Sequence, residues 1–130
     1  MARTQEQRKA ETRRRLLAAA AELFAREGYD AVSVDAVADA ADRTSGSVYA
    51  HFGGKQGLLT ALLDGFQDDM AAVIQAEFAV HDDLASRVLA LWRNVASHVE
   101  GDAWFLLEVE LWLHAARDPA IGDRLAERYR

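Results

Sequence analysis

The sequence contains no cysteine and a single proline, Pro119, in 130 residues. Without cysteine there are no disulfides and no thiolate metal sites, a composition that fits a reducing cytoplasm. With so little proline, long helices can run unbroken. Strict period-two alternation is rare, which argues against sheet structure. No apolar run reaches the roughly 18 residues needed to span a bilayer, so no membrane partner is expected. The start, MARTQEQRKAETRRR, lacks the apolar core of a signal peptide, and Glu6 and Glu11 argue against a mitochondrial transit peptide. No Ser-His-Asp order or carboxylate pair rises above chance. An enzyme is therefore disfavoured, and no cofactor is expected.

Hydrophobic residues make up 51% of the chain and charged residues 28%, enough for one ordinary domain or two small ones sharing a helix. The net charge of −6 is unevenly spread. Residues 1–60 hold nine Lys/Arg against eight Asp/Glu, whereas residues 61–130 hold six against thirteen. The first fifteen residues carry six basic and two acidic groups. The two halves therefore present different fields, and the basic start suits a polyanion.

Hydrophobic spacing predicts an all-α fold. A first helix runs from about Gln7 to Glu27, with Leu16, Ala20, Leu23 and Phe24 on one face, and Gly28 ends it in the left-handed conformation. Ser33 is suited to cap a second helix, whose inward side is Val34, Val37 and Ala38. Asp42 and Arg43 fall in a turn. Thr44 caps a third helix over Ser45 to Phe52, with Val48 and Phe52 inward, and Gly53-Gly54 breaks it. A fourth helix extends from about Lys55 to near Phe78. A fifth covers about 84–99, capped by Asp82 or Asp83. A sixth, Ala103 to Ala116, is apolar nearly all round. Asp118-Pro119 starts a seventh, with Ile121, Leu125 and Tyr129 as its apolar side.

The stretch Val34 to Lys55, VDAVADAADRTSGSVYAHFGGK, has the spacing of a helix-turn-helix, whose second helix enters the DNA major groove. From Thr12 to Leu63 the chain resembles the DNA-binding domain of TetR/AcrR-type transcriptional repressors. The resemblance rests on the long first helix ending Phe24 to Tyr29, on Ser33-Val34 and Val37-Ala38, on Thr44-x-Gly46-Ser47-Val48-Tyr49-x-His51-Phe52, and on Lys55 with Leu58-Leu59. Arg117 to Leu125, RDPAIGDRL, also resembles a segment common in the family's regulatory domain. Two features depart from the pattern. Asp42-Arg43 replaces the usual Gly and apolar residue of the turn, which predicts a looser turn. The two further long helices that pair in the family's dimer interface have no counterpart here.

Several residues have the chemistry to meet DNA. Ser33, Thr44, Ser45 and Ser47 offer hydroxyls and free amides at helix starts, where capping is the competing role. Gly46 costs a helix roughly 1 kcal/mol relative to alanine, which a close approach to DNA would explain. Tyr49 and His51 flank the inward side and can reach phosphate, and Tyr49 can also lie on a thymine methyl. Lys55, a cation at a helix start, opposes the dipole unless a phosphate binds there. The recognition helix has no Arg or Lys, so bidentate guanine readout falls to Arg43 in the turn. The N-terminal arginines can track phosphates or a minor groove.

In the second half, Met70, Trp92, Trp104, Phe105 and Trp112 are candidates to line a ligand cavity, with an ordinary core as the alternative. Glu110 and His114 lie four apart on one helical face. Their spacing suits a metal pair, but a surface hydrogen bond or salt link is the more common use. The resemblance implies a helix-turn-helix domain over residues 1–54 and an incomplete helical regulatory domain over 55–130. It implies a ligand-responsive repressor that binds a palindromic operator in double-stranded DNA as a homodimer when full length. In the family a small hydrophobic effector moves the fourth helix and separates the recognition helices. The alternative is a truncated DNA-binding regulator without effector sensing or the standard dimer. Leu111, Leu113, Ile121 and Leu125 are expected to lack cover and to form a pairing patch.

Overall fold

The computed structural model describes residues 4–101 and 103–128, and the side chains of all of these except 98–101, 103–106, 124, 125 and 128. Among the described residues every regular element is helical: α1 (Gln5–Glu27), α2 (Val34–Ala40), α3 (Ser45–Phe52), α4 (Lys55–Val80), α5 (Leu84–Gly101), α6 (Ala103–Arg117) and α7 (Pro119–Arg128).

The helix boundaries follow local capping chemistry. Thr4 and Gln7 form a capping box, with Gln7 N–H donating to Thr4 Oγ1 (3.1 Å) and Thr4 N–H to Gln7 Oε1 (2.9 Å). Helix α1 therefore begins two residues before the apolar periodicity suggests. It stops at Gly28, whose φ of 84° and ψ of 152° lie outside the left-handed helical well, in a region open in practice only to glycine. Ser33 Oγ accepts from Ala36 N–H at the start of α2, and Thr44 Oγ1 accepts from Ser47 N–H at the start of α3. Asp42, at φ 54°, supplies the left-handed residue of the turn between them. Asp83 caps α5 by accepting from Ser86 N–H at 2.8 Å, and hydrogen bonding from the Ser86 side chain first, then from its backbone, holds the Asp83 carboxyl below the usual carboxylate range.

A single buried cluster joins the two halves of the chain. Leu16, Phe24, Val37, Val48, Leu58, Leu59 and Leu63 are contiguous with Leu107, Leu111, Ala115 and Ile121. Helix α6 crosses both α1 and α4, and α7 folds back onto α6. This corrects the expected pairing patch: Leu111 is fully buried and Ile121 is 6% exposed. Residues on α1, α4 and α7 cover them, and each gains about 1.5–3 kcal/mol from burial. Leu113 remains half exposed, and Leu125 lies outside the described side chains.

The far ends of α4 and α5 are less covered. Val80, Leu84, Val88 and Trp92 are all exposed, whereas Leu91 and Val95 of α5 are half-buried. No helix among the described residues is long and apolar enough to cross a membrane.

Candidate nucleic-acid interface

Helix α3 buries Val48 and packs Phe52 against the core, and so turns Gly46, Tyr49 and Ala50 to solvent. Tyr49, at 58% exposure, is the most open aromatic of the recognition segment. It flanks α3 on one side, and His51, half-buried, flanks it on the other. The start of α3 is fixed twice. Thr44 and Ser47 share a hydroxyl–hydroxyl hydrogen bond of 3.1 Å, and Ser45 Oγ donates to the Asp35 carboxylate in the first turn of α2. Ser33 is engaged as the α2 cap. Each of these hydroxyls already has a structural role, and each keeps a lone pair or amide neighbour for a phosphate.

The turn is tied down rather than loose. Arg43 Nε donates to Thr12 Oγ1 on α1 (3.1 Å), and Arg43 Nη1 donates to the Asp42 carbonyl (2.8 Å). A long polar side chain thus bridges to α1 where an apolar plug was lost, which corrects the expectation from the Asp42-Arg43 departure. On the other side of α3, the Arg13 guanidinium lies 4.6 Å from the Phe52 ring centroid, so α1 also delivers a cation beside the recognition helix. Arg15 is paired with Glu11 at 3.3 Å.

Lys55 opens α4 next to Gly54 and Gly53, where no side chain caps the helix and the first turn holds no acid. Its Nζ donates to the Asp30 carbonyl (3.3 Å) and sits 4.3 Å from the Tyr29 ring centroid. The Tyr29 ring also meets His114 of α6, with ring centroids 4.7 Å apart. Glu110, one turn earlier, accepts the Tyr29 backbone N–H at 3.2 Å. Glu110 and His114 therefore both serve the α1–α2 connector. Among the described residues no group of three or more His, Asp or Glu side chains is placed to hold a metal ion. Nearby, Gln56 Nε2 donates to Asp118 Oδ2 (3.2 Å), joining the start of α4 to the corner between α6 and α7.

A family model described as bacterial regulatory proteins, tetR family, matches residues 16–62, the span from mid-α1 to the first turns of α4. The chain belongs to the TetR family. It is 47% identical over 58 residues to the transcriptional repressor KstR2 of Rhodococcus jostii (strain RHA1), covering 45% of this chain and 28% of that one. The crystal structure of a TetR family transcription regulator from Marinobacter aquaeolei VT8 superposes with a TM-score of 0.75 at 26% identity, over 95% of this chain and 65% of that one. The multidrug binding protein EbrR, solved with imidazole, gives 0.72 at 33% identity, over 88% and 61%. The chain spans from 28% to 65% of the length of the curated relatives it matches.

The polar connections around the turn, the connector and α4 were not visible in the sequence. Thr12 with Arg43, Asp35 with Ser45, and Tyr29 with Glu110 and His114 lie 31, 10 and 81 or more positions apart. Only the capping hydroxyls, which act over three residues, leave a local signal. In the second half, Met70 and Trp112 are half-buried, and Trp112 packs on the core. Trp92 is 67% exposed on α5, away from any enclosing wall, and the side chains of Trp104 and Phe105 lie outside those described. A cavity of about 300 Å³ lies elsewhere, between the end of α3, the start of α4 and α7, lined by Phe52, Gln56, Thr60 and Ile121 among others.

Proposed function

We propose that the protein is a DNA-binding transcriptional regulator acting as a repressor in the bacterial cytoplasm, with α3 as its major-groove helix. The observation that carries this reading is the exposed face of α3, held by Thr44 and Asp35 at its start and flanked by Arg13 and Lys55. Ser33, Arg43, Thr44, Ser45, Gly46, Ser47, Tyr49, His51 and Lys55 form the contact surface. Phosphate would sit at the uncapped start of α4, where the dipole and the Lys55 ammonium both favour an anion. Residues 1–54 serve as the DNA-binding unit and 55–130 as the regulatory unit.

The repressor reads a palindromic operator as a homodimer, because two half-sites one helical turn apart match a two-fold pair of recognition helices. A small hydrophobic effector bound among Met70, Trp92, Trp104, Phe105 and Trp112 releases the DNA. Two observations support this. EbrR is a multidrug binding protein, and α6 touches the α1–α2 connector directly through Glu110 and His114. The test is selection of bound sequences from a random DNA pool, followed by titration with hydrophobic ligands. A palindrome, tryptophan quenching and loss of DNA affinity are the expected results. Recovery of no preferred sequence would overturn the reading.

The exposure of Trp92 favours a second reading, a shortened regulator that binds DNA but neither senses an effector nor forms the standard dimer. Sedimentation at micromolar concentration separates the two, since that reading requires a monomer.

A further inference from the structure

We infer that α3 reads its half-site through thymine methyl groups, with Ala50 as the contact residue, rather than through the hydrogen-bonding edge of guanine. The inference rests on the DNA-binding reading above and specifies what kind of sequence that surface recognises.

At 100° per residue, Gly46, Ser47 and Ala50 occupy the side of α3 opposite Val48 and Phe52. That side faces the groove floor when the inward side faces the protein. Gly46 and Ala50 are exposed, and the Ser47 hydroxyl is already bonded to Thr44. The deepest-reaching surface is therefore a hydrogen, an engaged hydroxyl and a methyl. Such a flat side lets the helix backbone come close to the base edges. It offers little to hydrogen-bond with once there.

The side chains that recognise bases with two parallel hydrogen bonds are absent. Helix α3 contains no Arg, Lys, Asn or Gln, the residues that grip guanine or adenine in the major groove. Arg43 stands nearest, but two of its donors are committed to Thr12 and to the Asp42 carbonyl, which turns it toward α1. Arg13 lies over Phe52 at the other end of the helix, and Lys55 over Tyr29. Tyr49 and His51 each offer one hydrogen bond from the flanks. Tyr49 lies near Gly54, where an added β-carbon would come within 3.7 Å of its ring. Thymine alone among the four bases presents a methyl group in the major groove, and small apolar side chains are its usual partners. Ala50 supplies that partner at the centre of the face, with the Tyr49 ring beside it.

The experiment uses the full chain and a site obtained by selection from random DNA. Each thymine of the half-site is replaced by uracil, which removes only the 5-methyl group. Each guanine is replaced by 7-deazaguanine, which removes only the N7 acceptor. Affinities are measured by fluorescence anisotropy. One or two uracil positions should weaken binding about 3- to 5-fold each, the effect of one buried methyl, with 7-deazaguanine silent beneath α3. Ala50→Gly should bind thymine and uracil sites alike. Should that variant not fold, the base substitutions still decide, because they alter the DNA alone. A loss of tenfold or more from 7-deazaguanine beneath α3 would overturn the inference while leaving DNA binding intact. Indifference to every substitution overturns it too, since readout would then rest on shape and phosphates. Absence of any selected site would remove both this inference and the reading beneath it.

Discussion

The rings of Tyr29 and His114 meet in a tilted contact, centroids 4.7 Å apart and planes at 52°, across the boundary between the helix-turn-helix segment and α6. The same tyrosine ring supports Lys55 on α4. Three elements distant in sequence thus converge on one side chain, and α6 is in direct contact with the connector that leads into the candidate DNA-binding surface. His114→Ala should lower stability by about 1 kcal/mol through loss of the ring contact. Urea denaturation checks the magnitude.

Tyr29 also carries a pH signature. Burial, then the carboxylates of Asp30 and Asp118, push its phenol above the ordinary 10.0. The unfolded chain therefore ionises at this group before the folded chain does. Its contribution is complete below the unfolded value and is lost as pH rises through the folded one. Stability should fall above about pH 10, and Tyr29→Phe should remove that component of the fall. An identical alkaline profile for the two proteins would count against the assignment.

Lys55→Ala should weaken binding to all DNA sequences alike and reduce the slope of log affinity against log salt by about one. The same change removes the cation from Tyr29 and should cost about 0.5–1 kcal/mol of stability. Anisotropy titrations at several salt concentrations test the first effect, and denaturation separates it from the second. Unchanged affinity would exclude Lys55 from the phosphate surface.

The bond from Arg43 to Thr12 replaces an apolar plug with a polar tie between the turn and α1. Arg43→Ala and Thr12→Val should each destabilise by about 1 kcal/mol. The double variant should cost less than the sum, with a coupling of about 0.5–1.5 kcal/mol. Strict additivity would show that the two side chains do not act together.

Gly57 passes so close to the end of α3 that a β-carbon there would meet the Phe52 carbonyl oxygen at 1.6 Å. Backbone atoms cannot move aside as a flexible side chain can. Gly57→Ala should therefore cost about 3 kcal/mol or more despite the better helix propensity of alanine. It should displace α3 relative to α4. Gly65→Ala is the control, because open space surrounds that position and the change should stabilise α4 by about 0.5–1 kcal/mol.

The sequence alone determined the number and order of the helices, because caps and apolar periodicity act within three or four residues. Ser33, Thr44 and Gly53 mark their boundaries in the structure as they do in the chain. It also determined the family and the candidate recognition helix, since Val48 and Phe52 fix which side of α3 turns inward. Only the tertiary structure decided what the other polar residues touch. Arg43 reads as a loose turn until Thr12 is brought beside it from 31 positions away. Glu110 and His114 read as a surface pair until α6 crosses α1 and sets both against Tyr29. Leu111 and Ile121 read as exposed until α7 folds back over α6. In each case the local pattern specifies a face, and the choice of what covers it depends on long-range packing, where burial of apolar area outweighs any preference written in neighbouring residues.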